Sequence, residues 1–206
     1  MTMANPFAKF VTILLSAIVL SSVAVVICHR VLPVPVTSLM LIRRAQARAE
    51  GRNLAIHRQW VPLDAIAPEL VATVVNSEDA HFYEHNGFDL WAMKKAMHLN
   101  FAYGHIVMGG STISQQTAKN VFCTPSRTYL RKVVEAYFTI LIEFLWGKER
   151  IIEVYLNVIE WGDGIFGIEA AAQHYFKHSA TQLSAEEIQY LVSLIPNPRL
   201  GSLHEL

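Results

Sequence analysis

An uncharged apolar run, residues 10–28, opens the chain and is built mainly from Val, Ile, Leu, Ala and Ser. Its length is close to the roughly 20 residues a helix needs to cross a bilayer, so it predicts a membrane-spanning helix. A cleavable leader is the competing reading. No small-x-small cleavage site follows Val25-Val26-Ile27-Cys28-His29-Arg30, and a retained anchor is expected. Lys9 and the amino terminus flank the run on one side, against Arg30, Arg43, Arg44, Arg48 and Arg52 on the other. Taken alone, that bias places the main domain in the cytoplasm. Val31-Leu32-Pro33-Val34-Pro35 then forms an extended connector, because its two prolines disfavour helix. Residues 38–50 read as a short basic helix closed by Gly51. Arginines beside Leu39, Met40, Leu41 and Ile42 suit a segment at the lipid headgroups, and equally an ordinary solvated helix face.

Beyond Pro68 the pattern is helical almost throughout. Pro68 suits a first helical turn, with Leu70, Val71, Val74 and Val75 as the apolar stripe. Asp89 caps a helix over residues 90–101, with Gly104 beyond its end. Ser111 is placed to cap a third helix running through Lys119. Leu130, Val133, Val134, Tyr137, Phe138, Leu141 and Leu145 recur at helical spacing up to Gly147. A further helix covers residues 151–158, and residues 161–167 read as a glycine-rich loop. Ser184 and Glu187 form a capping box for a last helix ended by Pro196 and Pro198. The expected fold class is mainly α, with an N-terminal transmembrane helix.

The bulk numbers narrow the function classes. A chain of 206 residues holds one sizeable domain plus an appendage. Its formal net charge of +0 gives no sequence-wide basic field, so nucleic acid is not an expected partner. A hydrophobic content of 52% and a mean hydropathy of +0.30 point to membrane contact. Cys28 and Cys123 are too few for a disulfide framework and too differently placed to pair.

Glu78 is the most informative position. It follows Val71, Val74 and Val75 on one helix face, where desolvation raises a carboxylate's proton affinity and equips it as an acid or base. A buried structural Glu would look the same. The run Glu78-Asp79-Ala80-His81-Phe82-Tyr83-Glu84-His85-Asn86-Gly87-Phe88-Asp89 adds imidazoles at i, i+4, and His174 and His178 repeat that spacing. Without HExxH order or other ligand types, hydrogen-bonding roles are expected for these histidines, and no metal site. Gly109-Gly110-Ser111-Thr112 looks like a loop feeding a helix start. Thr112, Gln115, Gln116 and Lys119 there share a polar face suited to phosphate and sugar hydroxyls, or merely to water. Arg127, Arg131 and Glu135 line one side of the next helix if it begins by Arg127. Paired guanidiniums suit a pyrophosphate, and intrahelical ion pairing is the plainer alternative. Residues 101–108 are apolar with an internal glycine, either the end of a core helix or a mobile lip at the membrane.

The Glu78–Asp89 block, Gly109-Gly110-Ser111-Thr112-Ile113-Ser114-Gln115-Gln116, Arg131-Lys132-x-x-Glu135 and Ile151-Ile152-Glu153-Val154-Tyr155-Leu156-Asn157 follow one another in order. Together they resemble the peptidoglycan glycosyltransferase family, which also forms the glycosyltransferase domain of bifunctional penicillin-binding proteins. The match runs over residues 60–199, and the single domain behind an anchor resembles the monofunctional branch.

The resemblance implies a lysozyme-like helical domain that polymerises lipid II into β-1,4 glycan and releases undecaprenyl pyrophosphate. Glu78 matches the family's catalytic base and Glu135 its second essential carboxylate. Ser111, Thr112, Gln115 and Gln116 match the donor-side motif. Lys119 and Arg127 match the pyrophosphate-holding cations, and Arg131 is expected to bind substrate with them. No cofactor is required, although a divalent cation (magnesium or manganese) at the pyrophosphate is compatible with the chemistry. Expected partners are lipid II, the growing lipid-linked glycan and the membrane, with other cell-wall synthesis proteins as further candidates. The implied place is the bacterial inner membrane, single-pass, with the catalytic domain on the periplasmic face. That substrate-based orientation overrides the charge bias.

The implied division is residues 1–29 as cytoplasmic stub and anchor, 30–59 as linker and 60–206 as the glycosyltransferase domain. The domain is expected to be short at its C-terminus after Pro196-Asn197-Pro198. A lysozyme-like glycan-cleaving enzyme and an inactive membrane-anchored scaffold are the alternatives. The basic set Lys119, Arg127 and Arg131 argues against cleavage of neutral glycan.

Overall fold

The computed structural model describes residues 5–105, 107–126 and 128–199. Helix α1 (Pro6–Val31) starts at Asn5, whose side chain accepts from Phe7 N, with Pro6 in the first turn. At 1.5 Å per residue it is about 39 Å long. It is the one helix among the described residues long and apolar enough to cross a membrane, and nearly all of it is exposed.

Where α1 ends, the domain takes hold of it. The Ser22 hydroxyl shares a 2.7 Å hydrogen bond with Tyr137, and Trp146 Nε1 donates to the Val26 carbonyl at 2.7 Å. Arg150 donates to the carbonyls of His29 and Leu32. Arg58 donates to those of Val34 and Pro35, and both guanidiniums lie over the Trp60 ring.

Helix α2 (Ser38–Ala49) is closed at Gly51, as the sequence predicts, and is capped by Thr37. One face of it packs against the domain, while Leu41, Arg44 and Arg48 stay exposed on the other. Met40 and Ala47 are buried, and Arg43 donates to Glu160 at 2.7 Å. Burial pushes the Glu160 carboxyl up, opposed by Arg43.

Strand β1 (His57–Arg58) and a 3-10 turn (Leu63–Ala65) lead into α3 (Pro68–Glu78), which has Pro68 in its first turn. Next come α4 (Leu90–Tyr103), α5 (Ile113–Phe122), α6 (Tyr129–Leu145) and α7 (Lys148–Val158). Asp89 caps α4 by accepting from Ala92 N, and Gly104 ends that helix with a positive φ.

The stretch expected to be a glycine-rich loop is a β-hairpin. β2 (Glu160–Gly162) pairs antiparallel with β3 (Ile165–Phe166), which also takes β1 in parallel, giving the order β1-β3-β2. Gly164 turns the hairpin at φ +78, where a Cβ would sit 2.6 Å from the Ala55 carbonyl oxygen. The glycines therefore permit a tight strand pair against a neighbouring chain segment. Helix α8 (Ile168–Phe176) and helix α9 (Ala185–Leu194) follow, α9 beginning with the expected Ser184–Glu187 capping box.

Helix α7 lies at the centre of the core. Ile151, Ile152, Val154, Tyr155, Leu156 and Val158 are all buried. Full burial of each such aliphatic side chain contributes about 1.5–3 kcal/mol. The polar member, Asn157, is satisfied because it accepts from Val61 N and donates to the Val61 and Glu153 carbonyls. A helix buried over most of its length can present side chains to the interior of the site, and Tyr155 does so.

Candidate functional site

Glu78 is the last residue of α3. The expected burial is partial, because the helix stops there and the half-buried carboxylate lines an approximately 160 Å³ cavity. Its Oε2 accepts from Gln116 Nε2 at 3.0 Å. The buried carboxylate is the next one, Asp79. It accepts from Ile113 N at 2.9 Å and from His85 Nε2 at 3.0 Å. His85 Nδ1 in turn accepts from Gly87 N, which leaves Nε2 as its protonated nitrogen. His81 Nδ1 donates to Asp89 at 2.7 Å. That bond raises the His81 pKa, while the Ala92 N–H first, and His81 after it, hold Asp89 low. These histidines act through hydrogen bonds, and His178 likewise bonds Glu187.

The start of α5 differs by one residue from expectation. Thr112, not Ser111, is the cap, and it forms a reciprocal box with Gln115. The Thr112 hydroxyl also donates to the Gly87 carbonyl at 2.7 Å. Thr112 and Gln115 are buried and their bonds shape the loop, and Thr112 also lines the cavity beside Glu78. Ser111 is exposed, with Lys132 Nζ 3.4 Å from its hydroxyl. Gln116 is half-buried and reaches Glu78.

Lys119 lies one turn further along α5, on the wall of an approximately 470 Å³ cavity shared with Ser38, Arg43, Asn120, Cys123 and Arg131. Burial lowers its pKa, with Glu135 opposing the shift. Burial also pushes the Cys123 thiol up. Glu135, on α6, is buried and takes hydrogen bonds from both Arg131 and Lys132. Lys119, Arg131 and Lys132 are thus three cations against one carboxylate. Helix α6 begins at Tyr129 behind the Thr128 cap, and Arg127 lies outside the described residues. Among the described residues no three His, Cys, Asp or Glu side chains gather to hold a metal. Glu135 already carries two cations, so the side chains here do not fit a protein-held divalent ion, and no step below uses one.

The sequence reading left several members of this site without a role. Lys132 was legible as the i, i+3 neighbour of Glu135. Asp79 sat unassigned in the Glu78 block. Tyr155, whose hydroxyl donates to Gln116 Oε1 at 3.3 Å, and Arg43 carry no local signal at all.

At the far end of α4, Phe101 is 90% exposed, which excludes the core-helix reading for that residue. Tyr103 and Val107 are exposed as well, and Ile106 lies outside the described residues, as do residues 200–206.

Comparison with known proteins finds similarity over most of the chain. The transglycosylase family model matches residues 46–205. The chain is 51% identical over 179 residues to a biosynthetic peptidoglycan transglycosylase of Bdellovibrio bacteriovorus, covering 87% of this chain and 71% of that protein. It is 50% identical over 163 residues to one from Dechloromonas aromatica, covering 79% and 71%. A third, from Rhodospirillum centenum, is 49% identical over 202 residues, or 98% of this chain and 85% of that protein.

Proposed function

Because the chain belongs to the transglycosylase family, we propose that it polymerises lipid II into β-1,4 glycan strands with Glu78 as the general base. Membership makes it a peptidoglycan glycosyltransferase with a lysozyme-like helical domain. The finer reading rests on one turn of α5. Gln116 donates to Glu78, and Lys119, three residues on, lines the cationic cavity. The two residues are offset by about 4.5 Å along the helix axis. A base and a leaving-group cation are thereby held by the same rigid element.

In this mechanism Glu78 takes the proton of the acceptor sugar's 4-hydroxyl as that oxygen attacks the anomeric carbon of the lipid-linked donor. The bond from that carbon to the pyrophosphate oxygen breaks, and undecaprenyl pyrophosphate departs. Lys119, Arg131 and Lys132 face the charge that develops, with Arg127 assigned there by resemblance. A single displacement converts an α-linked donor into a β-linked product. Glu135 holds Arg131 and Lys132 together, and the exposed Ser111 lies beside Lys132. Thr112 and Gln115 act by fixing the loop.

Residues 1–29 would form the cytoplasmic stub and inner-membrane anchor, 30–59 the linker and 60–206 the catalytic domain. The domain faces the periplasm, where lipid II is polymerised. Lipid II and the lengthening strand are its partners, and other wall-synthesis proteins are further candidates.

The test is the full chain in liposomes with labelled lipid II, products separated by length. A ladder of lengthening glycans is expected. Shortening of preformed glycan would instead favour the cleaving enzyme, and a folded protein without turnover the scaffold.

A further inference from the structure

Tyr155 is fully buried in the middle of α7, among aliphatic neighbours that a phenyl ring would fill as well. A hydroxyl in such a place costs free energy unless it is bonded. Among the described residues its hydroxyl donates to Gln116 Oε1, 3.3 Å away, and the other end of the same amide donates to Glu78. Three residues from three helices, α7, α5 and α3, therefore form one chain of hydrogen bonds that ends on the carboxylate.

The amide is the element that needs orienting. A carboxamide has a donor end and an acceptor end that are nearly equal in shape, so packing alone does not choose between them. Flipped by half a turn, Gln116 would turn oxygen lone pairs toward Glu78, and two acceptors would face each other. With the hydroxyl donating to Oε1, Nε2–H points at the carboxylate. We propose that Tyr155 is a positioning residue, whose hydroxyl holds the Gln116 amide in the orientation that steadies Glu78 for proton transfer. It touches neither sugar nor pyrophosphate. Its effect reaches the reaction only through Gln116. This inference rests on the reading of Glu78 as the base.

The experiment uses the full chain in liposomes and the variants Tyr155→Phe, Gln116→Leu, their double mutant, and Glu78→Gln. Tyr155→Phe keeps the ring and removes one oxygen. It is expected to melt close to the parent, to lower kcat roughly tenfold, and to leave KM for lipid II within about twofold. Gln116→Leu is expected to lower kcat at least as much. The double mutant should then be no slower than Gln116→Leu alone, because the hydroxyl has nothing left to orient. Multiplied losses in the double mutant, an unchanged kcat in Tyr155→Phe, or a Tyr155→Phe protein that no longer folds would each overturn the proposal. Glu78→Gln separates the two ideas. If it retains parental turnover, the base assignment fails. If it is inactive while Tyr155→Phe is not slowed, only the positioning role fails.

Discussion

Asp79 accepts the backbone N–H of Ile113 at 2.9 Å, so the residue just past the end of α3 is bonded to the first residue of α5. Its carboxylate also accepts from His85. It thereby fixes the distance between the helix that delivers Glu78 and the helix that carries Gln116 and Lys119. Asp79→Asn keeps the shape but turns an N–H₂ group toward one of the two donors. Stability is expected to fall by about 1–3 kcal/mol, the cost of a buried group left unpaired. Chemical denaturation measures the loss, and turnover of the folded fraction should fall with it.

Glu78→Gln retains an oxygen that can accept from Gln116 but cannot take a proton. Folding and lipid II binding should survive, while turnover falls by roughly 10²–10⁴-fold, the share assigned to general-base catalysis. Undiminished polymerisation by a well-folded variant would remove Glu78 from that role.

Lys119→Ala should weaken transition-state stabilisation by roughly 2.7–4 kcal/mol, as loss of a preorganised donor does, and Lys119→Arg should restore only part of it. Arg127→Ala tests the cation assigned by resemblance and should act in the same direction. Glycan-ladder rates for the three variants decide the matter.

Burial holds the Lys119 pKa below that of an ordinary lysine. The charge is therefore fully present at lower pH and is lost, as pH rises, earlier than in an exposed lysine. The alkaline limb of kcat/KM should lie below the usual lysine range and move upward in Lys119→Arg. The folding sign is opposite to that of a stabilised cation. The unfolded state binds this proton more tightly, so this group adds stability as pH rises from its folded to its unfolded pKa. A limb at the same pH in both proteins would assign it to another group.

Phe101, Tyr103 and Val107 are exposed apolar side chains between the Glu78 block and the start of α5, where a membrane lip is expected. Under the proposed function a lipid-linked sugar would enter from the bilayer plane, and exposed apolar side chains there would suit the headgroup region. Phe101→Ser with Val107→Ser should raise the apparent KM of the full chain in liposomes. Because these side chains support little of the core, melting should shift by no more than surface substitutions usually produce, about 0.5 kcal/mol. A large loss of stability with unchanged KM would make the lip a packing element.

The local pattern was enough to place every described α-helix but α8 to within a few residues. Caps, prolines and apolar periodicity act between residues no more than about one turn apart, and the chain states them directly. The chemistry-bearing residue types were legible in the same way, through blocks of residues in order. Three decisions lay elsewhere. Glu78 continued an apolar stripe, yet it is half-buried because α3 ends at that residue and opens onto a cavity. The glycine-rich run became a hairpin because β1, more than a hundred residues earlier, supplied an edge for β3. Arg43, which looked like a surface charge, found Glu160 at a separation of 117 positions, and Tyr155 found Gln116 at 39. Each of these depends on which distant group arrives within hydrogen-bonding reach once the core closes. The sequence by itself determined the helices and the inventory of acids, bases and cations. Packing alone decided which of them are spent on one another, and which are left facing the site.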